Sequence, residues 1–282
     1  MASEHQRIAL AALARTPEGA LTTQGRHGGA VDTAQYSGFK HGDGAAATLY
    51  GAALAAATLR QVGTGARLHV TSSGFGFVPP AAHGLVDPFV RTARTLGADV
   101  TAFRVIRSTV SNGDYAAMTL QERQDAMKSH ALSVHDHDLD GAVVVALDDV
   151  RVTGVHEQSM DECLRAAGAA VVHHAYIVDA WDVREDPAVE AALNASSFTE
   201  DSALAALTWA PAFTPNARFA KRVLKMEGGQ MEAFLSSVPV WVGEWVQAAA
   251  QLDRLAQYSA YRPGVEVLQG VLERVQGVRV GE

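Results

Sequence analysis

The stretch Val143–Glu157, VVVALDDVRVTGVHE, constrains this chain more than any other. An apolar run ends in two adjacent acids, and a Thr-Gly turn opens what reads as a helix. In a parallel α/β sheet, ligands collect outside the carboxyl ends of the strands, where a helix N-terminus offers free backbone N–H groups. The pattern puts Asp148 and Asp149 at a strand tip, with Val150–Val155 wrapping an anion. Adjacent side chains on a strand point to opposite faces, so both acids reach one ligand only where the strand has ended. A ligand with a phosphate on one side and vicinal hydroxyls on the other, such as ribose 5-phosphate, suits both halves. An acidic loop or helix cap is the plain alternative. A haloacid-dehalogenase-type phosphatase would need Asp-x-Asp, which is absent at this tip.

The surrounding pattern supports a parallel sheet. Asp43–Val62 is alanine-rich and reads as a buried helix capped by Asp43. Arg67–Ser72 reads as a strand, and Gly74 and Gly76 in the following SSGFGFVPP permit a tight, backbone-exposing turn. Pro79 and Pro80 suit the start of a helix over Ala81–Leu96, and Ala98–Arg107 alternates as a second strand. Gly141–Leu147, Gly154–Ala167 and Ala169–Val178 continue as strand, helix, strand. This alternation predicts an α/β fold with a parallel sheet flanked by helices. Residues up to Gly42 read as irregular structure or a short hood, the core spans 43–185, and 186–282 read as a helical C-terminal extension.

Composition narrows the function classes. A net charge of −8 with no Lys/Arg stripe speaks against nucleic acid as partner. No apolar run is long enough to span a membrane, and the N-terminus lacks the basic start of a signal peptide, so a cytoplasmic protein is expected. Cys163 is the single cysteine, which excludes an intrachain disulfide. His135-Asp136-His137-Asp138 resembles a metal-binding string but lacks a third ligand on one face, and His173-His174 in a strand suggests one core and one exposed ring. Ser108–Asp138 is long and polar between core strands, as a mobile lid is. In YSGFKHGDG, the aromatic pair Tyr36 and Phe39 with Lys40 offers a planar, polar acceptor stacking and hydrogen bonds; a capped helix start explains the same residues.

VVALDDVRVTGVHE resembles the phosphoribosyl-diphosphate (PRPP) signature of type I phosphoribosyltransferases: apolar residues, two acids, then a Thr-Gly phosphate loop. More narrowly, DDVRVTGVHE and YSGFKHGDGAA, with FTPNARFAKRVL in the tail, are similar to phosphoribosyltransferases encoded in tellurium-resistance and stress-response operons beside ATP-grasp enzymes. The resemblance covers most of the chain. It implies transfer of ribose 5-phosphate from PRPP to a base-like acceptor, with Mg²⁺ as cofactor and pyrophosphate released, in a stress-linked pathway to a nucleotide-like metabolite. A PRPP-sensing protein without turnover is the alternative, and relatives of this type are often homodimers.

Carried over by position, Asp148 and Asp149 hold the ribose hydroxyls and the metal, and Arg151, Val152, Thr153, Gly154, Val155 and His156 form the 5′-phosphate loop. Ser72, Ser73, Gly74, Phe75 and Gly76, with Arg104 and Arg107, become the pyrophosphate site. Arg123 becomes the catalytic group of a closing loop that also holds Tyr115, Lys128 and His130. Tyr36, Phe39 and Lys40 become the acceptor site. Three positions depart from the family pattern. Arg151 replaces an apolar residue, His156 replaces a Thr, and Val152 stands where a Thr or a catalytic Asp is common, which puts a purine acceptor in doubt.

Overall fold

The computed structural model describes residues 6–26, 31–108, 132–186 and 188–280. Its centre is a six-stranded sheet built from β1 (Gln6–Arg15), β2 (Leu21–Gly25), β3 (Leu68–Ser72), β4 (Val100–Ala102), β7 (Val143–Arg151) and β8 (Val171–Asp179). The order is β2-β1-β8-β7-β3-β4; β2 alone runs antiparallel, against β1. Helices α1 (Thr33–Lys40), α2 (Gly44–Val62), α3 (Val86–Thr95) and α4 (Val155–Ala166) cover the sheet, and a core from Ile8 to Leu193 is sealed between the layers.

The N-terminal segment corrects the expectation of irregular structure. QRIALAALAR pairs in parallel with β8, from Gln6 opposite His173 to Ala12 opposite Asp179. Ile8–Ala12 are buried, so the run is apolar on both faces and shows no alternation by which a strand is recognised. The same cover buries both His173 and His174, against the expectation of one exposed ring. The single strand expected over Ala98–Arg107 is two. The chain leaves the sheet at Phe103, and β5 (Val105–Arg107) pairs antiparallel with β6 (Leu132–Val134) in a separate ribbon.

Helix α2 starts as its sequence predicts: the Asp43 carboxylate accepts from the N–H groups of Ala45 and Ala46 at 2.9 and 3.1 Å. Such a cap contributes about 1 kcal/mol. The helical extension comprises α5 (Val189–Ala195), α6 (Asp201–Leu207), α7 (Ala217–Val223), α8 (Gly228–Ser237), α9 (Val240–Leu252) and α10 (Arg262–Val280). From α6 onward it has a core of its own, around Phe219, Phe234, Val246 and Leu268. Two backbone seams tie it to the sheet domain. The Gly44 N–H donates to Ala212 O at 3.0 Å and the Thr214 N–H to Gly42 O at 2.8 Å; the Ala217 N–H donates to Pro79 O at 2.9 Å. Asp253 adds a third tie by accepting from the N–H groups of Phe77 and Val78. These ties bring α7 over the carboxyl ends of the strands.

Candidate functional site

Strand β7 has neighbours of unequal length. On one side β3 stops at Ser72, opposite Leu147; on the other β8 continues to Asp179, opposite Arg151. Asp148–Arg151 is thus strand paired on one edge only, which corrects the expectation that the strand ends at the acids. The notch left by β3 is where the connections diverge: β3 leads outward to β4, and β7 leads the other way to β8. That switch point is where open α/β sheets bind ligands. A cleft of about 210 Å³ occupies it, lined by every residue from Asp148 to Glu157 together with Lys40, Ser73, Gly74, Pro80, Arg107, Tyr176, Glu190 and Arg218.

The acids face this cleft with partners already in place. Asp148 accepts from the Ser73 hydroxyl at 2.8 Å and from the Asp149 N–H at 2.9 Å, and His156 Nε2 stands 3.6 Å from its other oxygen. Burial, then the neighbouring Asp149 charge, pushes the Asp148 pKa up to about 7. Asp149 forms a buried ion pair with Lys40, the last residue of α1. Packing around the His156 ring, reinforced by the Arg107 charge, lowers its pKa to about 3, so the imidazole is neutral at pH 7.

Beyond the acids, Val152–Gly154 turn the chain into α4. Gly154 caps that helix with φ at +75°, a left-handed conformation that favours glycine. The first N–H groups of any helix lack intrahelical acceptors, and here they open on the cleft. Val152 buries its side chain in the core, so only its backbone can serve a ligand. The Arg151 guanidinium, expected to bind phosphate, lines the cleft with its partners already in place. It lies 3.1 Å from Glu157 and 3.4 Å from Asp179, over the Trp181 ring at 4.1 Å. Glu157 in turn accepts from Arg7 and from the Tyr176 hydroxyl at 2.8 Å. Burial alone would raise the Glu157 pKa, but these two hydrogen bonds outweigh it and hold the group below its usual range.

The expected pyrophosphate loop is divided. Ser73 and Gly74 line the cleft, but the Ser72 hydroxyl faces His83 at 3.3 Å. The Phe75 N–H is engaged by Val105 O at 3.3 Å, and the Phe75 ring packs on His83 and beneath Arg104. Gly74 packs closely: a Cβ there would lie 2.8 Å from Leu132 Cδ2, which would have to shift. Gly76 and Arg104 lie outside the lining, and Arg107 lies within it. Of the expected acceptor residues only Lys40 reaches the cleft. Tyr36 and Phe39 are sealed in the core, Phe39 edge-on to Tyr50 at 5.9 Å, because the α1 face carrying them packs on α2. Tyr115, Arg123, Lys128 and His130 lie outside the described residues.

Sequence reasoning missed Glu157, Tyr176, Pro80, Glu190 and Arg218 as cleft residues; only Glu157, inside the signature, carried a local signal. In His135–Asp138, His137 stacks on Phe103 and meets His69 at 2.7 Å, and no cluster of three metal-ligating side chains occurs among the described residues. Cys163 is half-buried and burial raises its pKa, as for an inert thiol. No described helix is long and apolar enough to cross a membrane.

A family model described as PRTase ComF-like matches residues 26–249. Among solved structures, a hypoxanthine-guanine phosphoribosyltransferase from Bacillus anthracis is 13% identical over 47% of this chain and 65% of its own, with a TM-score of 0.32. A purine phosphoribosyltransferase from Pyrococcus horikoshii is 21% identical over 47% and 70%, with a TM-score of 0.29. A Trypanosoma cruzi hypoxanthine phosphoribosyl transferase is 12% identical over 49% and 67%, with a TM-score of 0.35. The chain thus spans about two thirds of the length of such enzymes. No curated protein matches it in sequence.

Proposed function

This chain belongs to the ComF-like phosphoribosyltransferase family, and on that premise we propose that it moves ribose 5-phosphate from PRPP to a base-like acceptor with release of pyrophosphate. The observation that carries the reading is the pair Asp148 and Asp149 on a half-paired strand, followed at once by a glycine-capped helix start, all facing one cleft. The carboxylates take the ribose 2′- and 3′-hydroxyls, and the Thr153–His156 amides with the Thr153 hydroxyl take the 5′-phosphate. As the C1–pyrophosphate bond lengthens, positive charge builds on the sugar, and the adjacent carboxylates stabilise it in a partly enclosed site.

Mg²⁺ fits this donor set. Two carboxylates with no third metal-ligating side chain beside them among the described residues suit an ion that arrives with the substrate's phosphate oxygens and keeps several waters. Bound there, it would neutralise charge on the departing pyrophosphate. Ser73, Gly74 and Arg107 line the cleft where the diphosphate would lie. The similarity of DDVRVTGVHE to stress-operon enzymes supports a product in a stress-linked, nucleotide-like pathway, and a cytoplasmic protein is consistent with it.

A second reading, a PRPP sensor without turnover, would use the same carboxylates, and in either reading the sugar must displace Lys40 from Asp149. Pyrophosphate release from PRPP and Mg²⁺ across a panel of heterocycles separates the two. Release that drops by about a thousandfold in Asp148→Asn plus Asp149→Asn supports the transferase. Tight PRPP binding without release on any acceptor supports the sensor.

A further inference from the structure

We propose that the acceptor is an anionic nitrogen heterocycle, bound between the sheet domain and the helical extension; this rests on the transferase reading above. A second cleft of about 420 Å³ adjoins the first and shares Lys40, Pro80, Asp149 and Arg218 with it. Whatever fills the second cleft therefore lies beside a sugar held by Asp148 and Asp149.

The second cleft reverses the charge of the molecule. The chain carries 31 acids against 23 Lys and Arg, yet Lys40, Arg218, Lys221, Arg222 and Lys225 line this cleft. Asp149 is the one carboxylate among its described lining residues. The convergence has a simple origin. Arg218, Lys221, Arg222 and Lys225 follow at helical spacing along α7 and the turn after it, so they share one face. Like charges at that spacing repel by about 0.2–0.5 kcal/mol per pair. Asn216 fixes the face over the cleft: its side chain caps α7 through the N–H groups of Arg218 and Phe219, and its amide donates to Lys40 O at 3.3 Å. The ammonium groups of Lys221 and Lys225 each lie 5.6 Å from the centre of the Tyr261 ring, which holds both at the same end.

Arg222 is held from behind. Its guanidinium donates to His41 Nε2 at 3.2 Å, and His41 Nδ1 sits 2.9 Å from Ser37 O, a carbonyl that only an N–H can satisfy. His41 is therefore neutral, in keeping with burial that lowers its pKa to about 4. It positions Arg222 without cancelling its charge, and Asp201 at 3.7 Å is the guanidinium's acidic neighbour. A half-buried cation gains more from an anion than a solvated one does.

A second observation specifies a ring. Asn194 lines the cleft, the residue is 2% exposed, and neither its amide oxygen nor its amide nitrogen has a partner among the described residues. Leaving such a buried group unsatisfied costs about 1–3 kcal/mol. Once the Asn194 side chain turns into the cleft, a heterocycle edge with a donor beside an acceptor would satisfy both atoms at once, and a simple anion would not. The acceptor thus presents its polar edge to Asn194 and its carboxylate or phosphate to the Lys221–Lys225 end.

The test uses the full chain saturated with PRPP and Mg²⁺. Probes come in pairs that share a ring and differ in a carboxylate: uracil with orotate, and nicotinamide with nicotinate. Calorimetric affinity and pyrophosphate release are both read. The expected result is a carboxylate member that binds at least about tenfold tighter than its neutral partner in one pair. Lys221→Gln plus Lys225→Gln should shrink that preference to less than about threefold, with PRPP affinity unchanged as the control for folding. Equal or tighter binding of both neutral members would overturn the proposal, as would failure of both carboxylates to bind the PRPP-loaded protein. A variant that loses PRPP affinity and keeps the preference would also overturn it, since the lysines would then serve the diphosphate. If PRPP itself does not bind the unaltered chain, the transferase reading fails and the acceptor with it.

Discussion

The two sides of the site are built on opposite physical terms. On the sheet side, β7 and α4 offer two carboxylates, a neutral imidazole and helix-start amides, positioned by parallel pairing with β8. On the extension side, a seven-residue helix offers a row of cations, positioned by one asparagine cap and a few backbone seams. Lys40 and Asp149, both on the sheet side, line both clefts and are held to each other by their ion pair, and Asn216 of the extension donates to Lys40 O. On the reading proposed above, this difference divides the labour: the sheet side would hold the PRPP and the extension side the acceptor.

The largest effect expected comes at the edge of the sheet side that both clefts share. Lys40→Met leaves the Asp149 carboxylate buried without its partner, which costs about 3–5 kcal/mol in stability. Denaturant unfolding of the variant reads this directly; a loss below about 1 kcal/mol would mean that the pair does not stabilise the shared edge of the clefts.

A smaller effect should separate the sides. Gly264, in the first turn of α10, abuts the residue after α7, and a Cβ there would lie 1.9 Å from Leu224 O. Gly264→Ala should cost about 1–3 kcal/mol. Hydrogen exchange should show protection falling in α7–α10 while β7 and β8 keep theirs, with PRPP affinity retained. A uniform loss across both regions would show that they form one cooperative unit.

The smallest effect sharpens the sheet side alone. Asp148 accepts sugar hydroxyls best when ionised, so PRPP affinity should rise between pH 6 and pH 8, by less than about tenfold. The stability contribution has the opposite sign. The folded pKa is raised from 3.8 to about 7, so this group's contribution is fully present at low pH and is lost as pH rises through 7. Asp148→Asn should therefore raise the melting temperature at pH 8 while weakening PRPP. Parallel trends in affinity and stability would contradict the assignment.

How much of this was legible in the sequence follows from where each signal lies. Val143–Glu157 carries strand, acids, turn and helix start in one contiguous run, so residues alone could point to it. Asp43 was readable as a cap because capping is local. Tyr36 and Phe39 misled because three-residue spacing on a helix suits a core face as well as a ligand platform, and only packing against Tyr50 decides. The ion pairing of Arg151 was not legible, because its partners, Asp179 and Trp181, come from the end of the next strand and beyond. QRIALAALAR hid a strand behind alanines buried on both faces. The cations of α7 were visible as letters, but nothing local shows that they face Lys40. That depends on Asn216 reaching across 176 positions of chain.

The most direct measurement is the crystal structure of the full chain with PRPP and Mg²⁺ bound. The expected result has the ribose 2′- and 3′-hydroxyls on Asp148 and Asp149, Lys40 withdrawn from Asp149, and the 5′-phosphate on the Thr153–His156 amides. A sugar bound elsewhere, or a Lys40–Asp149 pair still closed beside a Val152–Gly154 turn with no phosphate, would contradict the proposed site.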